Sequence, residues 1–126
     1  MITGVQDIYY YVSDMARAVH FYCNVLKLSV VHQDKSWTSF DVGGVRIGLH
    51  WTGGVPVPQI PKGPGGVTAG GTLTFRVADL AAAVGNLRAA GVKFLGGVIT
   101  EDWGSVVAFE DPDGNVIKLM QARSQR

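Results

Sequence analysis

Apolar and polar residues alternate from position 5 to position 12, which predicts a β-strand. Ile8, Tyr10 and Val12 fall on one face of it; Asp7, Tyr9 and Tyr11 fall on the other. At Asp14 the period changes. Behind this helix-capping residue type, Ala18, Val19, Tyr22, Val25 and Leu26 recur at helical spacing. Residues 28–32 and 37–42 return to strand character around the polar turn 33–36, and Gly43-Gly44 predicts a tight hairpin into a fourth strand. Val45, Ile47 and Leu49 are the inward-packing set of that strand, so the first half reads βαβββ.

The same order returns further on. Leu73, Phe75 and Val77 alternate against Thr72, Thr74 and Arg76, and Asp79 caps a short helix through Leu87 and Ala90 that Gly91 stops. Residues 93–99 and 105–110 predict strands, Asp111-Pro112-Asp113-Gly114 a turn, and 116–121 the last strand, with a frayed tail over 122–126. The two halves match in register: Val77 follows Val12 by 65 residues, as Asp79 follows Asp14. A repeat of this length signals a supersecondary unit that cannot bury its apolar face alone. Between the copies, residues 52–71 hold all but one of the five prolines and predict an irregular linker, a candidate flap over a site.

Composition narrows the class. A chain of 126 residues with 47% hydrophobic and 17% charged residues is a globular single domain, with module 1 at about 1–51 and module 2 at about 72–122. Eleven basic residues against ten acidic ones, with no basic run, exclude nucleic acid and an anionic membrane as partners. The single cysteine, Cys23, forbids an internal disulfide and reads as a buried structural thiol. No signal peptide or bilayer-length apolar run is visible, so a cytoplasmic location is expected.

The βαβββ unit given twice, with Val12-Ser13-Asp14, Phe21-Tyr22 and Asp111-Pro112-Asp113-Gly114-Asn115 at these spacings, resembles the vicinal oxygen chelate superfamily. That group includes glyoxalase I, extradiol dioxygenases, fosfomycin-modifying enzymes and bleomycin-resistance proteins. The resemblance implies an α+β fold: two tandem βαβββ modules forming curved mixed sheets, each backed by a helix, with a cavity formed in a homodimer. It also implies four metal-ligand positions, here occupied by Asp7, Gly48, Thr72 and Lys118. A catalytic divalent ion requires about three imidazole or carboxylate donors. Glycine offers none, threonine is a weak neutral donor and lysine repels the ion. No metal and no other cofactor is therefore expected. One route around this sets His50, which shares the cavity face with Gly48, beside Asp7 in an atypical site.

The candidate residues divide between two roles. Tyr9 and Tyr11, on the face with Asp7, offer stacking planes and hydroxyls to an aromatic ligand. Trp51 and Trp103 are further aromatic candidates, Trp103 from a loop that would close a cavity. Arg76 and Lys118 could fix a carboxylate or phosphate, with Thr72 beside them, while Asp7 and Lys118 could equally form a salt bridge in place of a metal. His50 and Asp7 are the proton-carrier candidates should the protein be catalytic. His20, His32 and Trp37 carry no assigned role. Asp111, Asp113 and Asn115 resemble a calcium loop only superficially, since Pro112 and Gly114 fit a turn closing on its own amides. The expected function is metal-free binding or sequestration of an aromatic or amphipathic small molecule. The alternative is a lyase, isomerase or epimerase acting on a carbonyl compound.

Overall fold

The computed structural model describes residues 1–123; the expected fraying at 124–126 lies outside the described residues. The chain divides into two compact units, Met1–Val57 and a second from Pro58 onward. Each is a mixed sheet backed by a helix, the expected α+β architecture. No helix among the described residues is long and apolar enough to cross a membrane.

In the first unit β1 (Ile8–Val12) is followed by α1 (Met15–His20), β2 (Val30–Gln33), β3 (Trp37–Val42) and β4 (Val45–Trp51). Asp14 caps α1 as its residue type demands, its Oδ1 accepting from the Arg17 amide at 3.0 Å. Beyond His20 the helix widens into a π-helical turn, Phe21–Val25, where the Leu26 amide bonds back to the Phe21 carbonyl at 2.9 Å. This turn buries the consecutive residues Phe21 and Tyr22 together, and Lys27, at φ 64°, ends it. An even 3.6-residue period predicts neither. The sheet order is β1-β4-β3-β2, with β1 parallel to β4. Its helix-side core is Val12, Phe40, Ile47 and Leu49, packed with Ala18, Phe21 and Tyr22. Val45 and Ile8, expected in that set, are exposed at the strand starts. Gly43 and Gly44, both at positive φ, make the two-residue hairpin.

The second unit repeats the pattern: β5 (Leu73–Arg76), α2 (Leu80–Ala89), β6 (Lys93–Phe94), β7 (Ile99–Glu101), β8 (Gly104–Glu110) and β9 (Val116–Ala122). Its sheet runs β5-β9-β8-β6 with β7 also on β8, and β5 is parallel to β9. The single strand expected over 93–99 is broken, because Gly96 at φ 100° turns the chain out of the ladder between β6 and β7. At the other end Ala122 belongs to β9, and the Arg123 amide bonds the Trp103 carbonyl at 3.0 Å. Leu80, Val84 and Leu87 of α2 are buried with Val107, Phe109, Ile117 and Leu119 of the sheet. The Asp111–Asn115 turn closes on itself as expected. Asp111 Oδ1 accepts from the Asp113 and Asn115 amides, and its Oδ2 from the Asn115 side-chain amide, each at 2.9 Å.

The stretch expected to be a linker is split by the unit boundary. From Gln59 to Thr68 it is a strap on the second unit's own sheet. The Gln59 side chain donates to the Asp113 carbonyl at 2.8 Å, and Lys62 bridges to Thr68. Gly66, at φ 80°, sits so close to Ala108 and Val116 that a Cβ there would lie 2.7 Å from the Ala108 methyl. Glycine is required at this contact.

Candidate functional site

Strand register places three rows of side chains on the face of the first sheet that is turned away from α1. Tyr11, His50 and Trp37 are neighbours across β1, β4 and β3, and Tyr9, Gly48 and Ser39 form the next row. One step further, Arg46 pairs with Asp41 across β4 and β3, and Asp7 precedes β1 beside them. Alternation within each strand fixes the grouping, because residues two apart share a face.

The upper rows form an aromatic patch. The Tyr9 ring meets those of Tyr11, Trp37 and His50 edge to face, at centroid distances of 5.5, 5.5 and 5.7 Å. Tyr11 and His50 are stacked at 5.1 Å. Tyr9 and Tyr11 remain 43% and 45% exposed, which leaves apolar ring surface in water where it can receive a flat ligand. A hydrogen bond with the Tyr11 phenol, together with Tyr11's charge, burial and the Asp7 carboxylate, holds the Tyr9 phenol above its ordinary range.

Trp37 organises the patch. The far end of its indole lies directly on Gly48, in the space a Cβ at position 48 would occupy. The absence of a side chain at 48 is thus the condition for the ring's position. The sequence alone assigned Trp37 no role. The signal was present, in a tryptophan two residues before Ser39, the register partner of Gly48.

Trp51, expected beside His50, is turned the other way. As the next residue on β4 it points to the opposite face, where its indole N–H donates to the Ser13 carbonyl at 3.1 Å and Lys35 lies over its ring. Asp7 lines a cleft of about 330 Å³ with Val5, Gln6, Asp41, Gly44, Val45 and Arg46. Four residues of β1 direction separate it from Tyr11, the register partner of His50. At about 3.3 Å per residue that is about 13 Å, so the two proton-carrier candidates do not share a proton.

The remaining candidates, Thr72, Arg76, Trp103 and Lys118, belong to the second unit. Lys118 is half-buried on the face opposite α2, between Thr74 and Ala108 in register, and Arg76 pairs with Met120 one row on. Thr72 precedes β5 and is exposed; Trp103 is exposed at the tip of the β7–β8 hairpin. On the same face as Lys118, Glu110 is only 8% exposed and receives Lys62 from the strap at 2.6 Å and Lys93 at 2.9 Å. Burial pushes its carboxyl up, but the two lysines outweigh that and hold it below the usual range. Cys23 is half-buried, and burial raises its thiol.

The positions that the resemblance assigns to metal ligands do not fit a divalent ion. Asp7 is the only anionic donor of the four, the Trp37 ring fills the space over Gly48, and Lys118 opposes a cation. Among the described residues no group of three or more His, Cys, Asp or Glu side chains is placed to hold one.

Comparison with known proteins agrees with the architecture. The model of the Glyoxalase/Bleomycin resistance protein/Dioxygenase superfamily matches residues 4–119. No curated protein matches the sequence significantly. Among solved structures, a glyoxalase/dioxygenase from Nostoc punctiforme superposes with a TM-score of 0.79 at 22% identity, over 97% of this chain and 92% of that one. The genomically encoded fosfomycin resistance protein FosX from Listeria monocytogenes gives 0.74 at 16%, over 98% and 96%. The lactoylglutathione lyase from Agrobacterium tumefaciens gives 0.70 at 19%, over 95% and 94%. At these identities the likeness is one of fold.

Proposed function

The chain belongs to the glyoxalase/bleomycin resistance protein/dioxygenase superfamily, and from that premise we propose that it binds an aromatic or amphipathic small molecule without a metal. The observation that carries this reading is the Tyr9–Tyr11–Trp37–His50 patch, with Trp37 seated on Gly48. A position that would hold a metal ligand is given over to an aromatic wall. The ligand's ring system stacks on Tyr9, Tyr11 and His50, and its polar end reaches toward Asp7 and Arg46. Holding or sequestering a compound needs shape, ring surface and a few polar anchors; it needs no proton carrier.

Native mass spectrometry of protein purified without added metal or chelator tests the reading. It expects a small organic adduct, lost in Trp37→Ala and in Tyr9→Ala. A homodimer is part of the same proposal, and the spectrum gives its mass directly. One divalent ion per chain, retained through buffer exchange and lost in Asp7→Ala, would overturn the metal-free reading and favour an enzyme. Turnover of a carbonyl compound that disappears in His50→Ala would do the same for binding as the sole function.

A further inference from the structure

The second unit's open face poses a charge problem that its own side chains leave unsolved. Lys62, Lys93, Lys118 and Arg76 stand there against two carboxylates, Glu110 and, at the β7 edge, Glu101. Glu110 is committed to Lys62 at 2.6 Å and Lys93 at 2.9 Å, with one oxygen for each. Lys118 lies between the Thr74 hydroxyl and the Ala108 methyl, and neither neighbour brings charge. No described residue forms an ion pair or side-chain hydrogen bond with Lys118 or Arg76. A half-buried ammonium gives up part of its hydration, and without an acceptor nothing offsets the loss.

We propose that Thr74, Arg76 and Lys118 form a binding site for a small-molecule oxyanion, a phosphate or a carboxylate. Arg76 is two residues along β5 from Thr74, which is the register partner of Lys118 on the adjacent strand. With strands about 4.8 Å apart and about 3.3 Å per residue, the Arg76 and Lys118 backbones are about 8 Å apart, and both long side chains reach a common point. Guanidinium and ammonium bring charge-assisted donors, and the Thr74 hydroxyl adds a neutral one. The ligand restores the acceptor that Lys118 lacks. The site shares no residue with the aromatic patch, so either proposal can fail alone.

The test titrates the full-length protein with inorganic phosphate, and separately with benzoate, at constant ionic strength balanced with sodium chloride. Backbone amide NMR follows Thr74, Arg76, Lys118 and Met120. Saturable shifts confined to these residues are expected, with a Kd on the order of 1 mM for a few charge-assisted contacts. Lys118→Met should weaken binding at least tenfold, Lys118→Arg should stay within a few-fold of the parent, and the exposed Arg76→Gln should lose affinity severalfold. Lys93→Gln, a lysine already held by Glu110, should leave it unchanged. Saturation by phosphate alone assigns a phosphate group to the ligand; saturation by benzoate alone assigns a carboxylate. Shifts that never saturate, or that persist unchanged in Lys118→Met and Arg76→Gln, overturn the site.

Discussion

The two open sheet faces are copies of one lattice, filled in opposite ways. Position for position, Tyr9, Gly48 and Ser39 in the first unit answer to Thr74, Lys118 and Ala108 in the second. Tyr11, His50 and Trp37 answer to Arg76, Met120 and Val106. The first face carries a glycine at its centre and is roofed by an indole. The second carries a lysine there, flanked by a methyl group, and the strap packs its glycine against Ala108. A duplicated backbone therefore fixes where side chains can meet, while the residue at the central position decides whether the face favours rings or charge.

The largest effect is expected where the second face is held closed. Glu110→Ala leaves Lys62, itself only 15% exposed, without its anion, and removing one partner of a buried pair costs about 3 kcal/mol. Urea denaturation should register the loss. Hydrogen exchange should show the strap residues 59–67 losing protection while the amides of β1 and β4 keep theirs; equal loss in both would remove the distinction between the faces.

Gly48→Ala comes next. Its Cβ collides with the Trp37 indole, an overpacking that costs about 1–3 kcal/mol unless the ring swings away. Adding Trp37→Ala should recover most of that stability, and a double-mutant cycle reads the coupling directly. Additive single effects would mean the ring does not depend on the glycine.

Acid should act on the second unit through Glu110. Its folded-state pKa lies below the ordinary value, so its contribution is fully present above about pH 4.3 and fades as pH falls through the lower folded value. Stability curves of the parent and Glu110→Gln should therefore converge on acidification; parallel curves would contradict the assignment. The smallest effect is spectroscopic. Tyr9 ionises above the ordinary phenol range because Tyr11 is its hydrogen-bond partner, so Tyr11→Phe should bring the Tyr9 phenolate absorbance to lower pH.

Most of this architecture was legible because it is local. Period-two alternation gave β1, β4 and β5, the Asp14 and Asp79 caps gave both helix starts, and the paired glycines gave the hairpin. Breaks in period were harder to read. The π-helical turn at Phe21–Val25 and the interruption at Gly96 depend on hydrogen-bond geometry and backbone angle, which residue spacing does not encode. The strap was hidden for another reason. Prolines and glycines announced irregular chain, yet nothing local to Lys62 shows that Glu110, far along the sequence, would receive it. At the site, parity placed Tyr9, Tyr11, Gly48 and His50 together. Trp37 was missed because its role is a contact between strands, and Trp51 was misplaced because the strict alternation that puts His50 on the open face puts its neighbour on the other.

The seat of Trp37 on Gly48 also makes the first face its own optical probe. An indole fixed against backbone and set at 72° to a neighbouring phenol has transition dipoles locked in a chiral arrangement. Such a pair should give a structured near-ultraviolet circular dichroism band, to which the exposed Trp103 adds little. Any molecule that settles on the rings, and any substitution that lifts the indole, should change the shape of that band without a label.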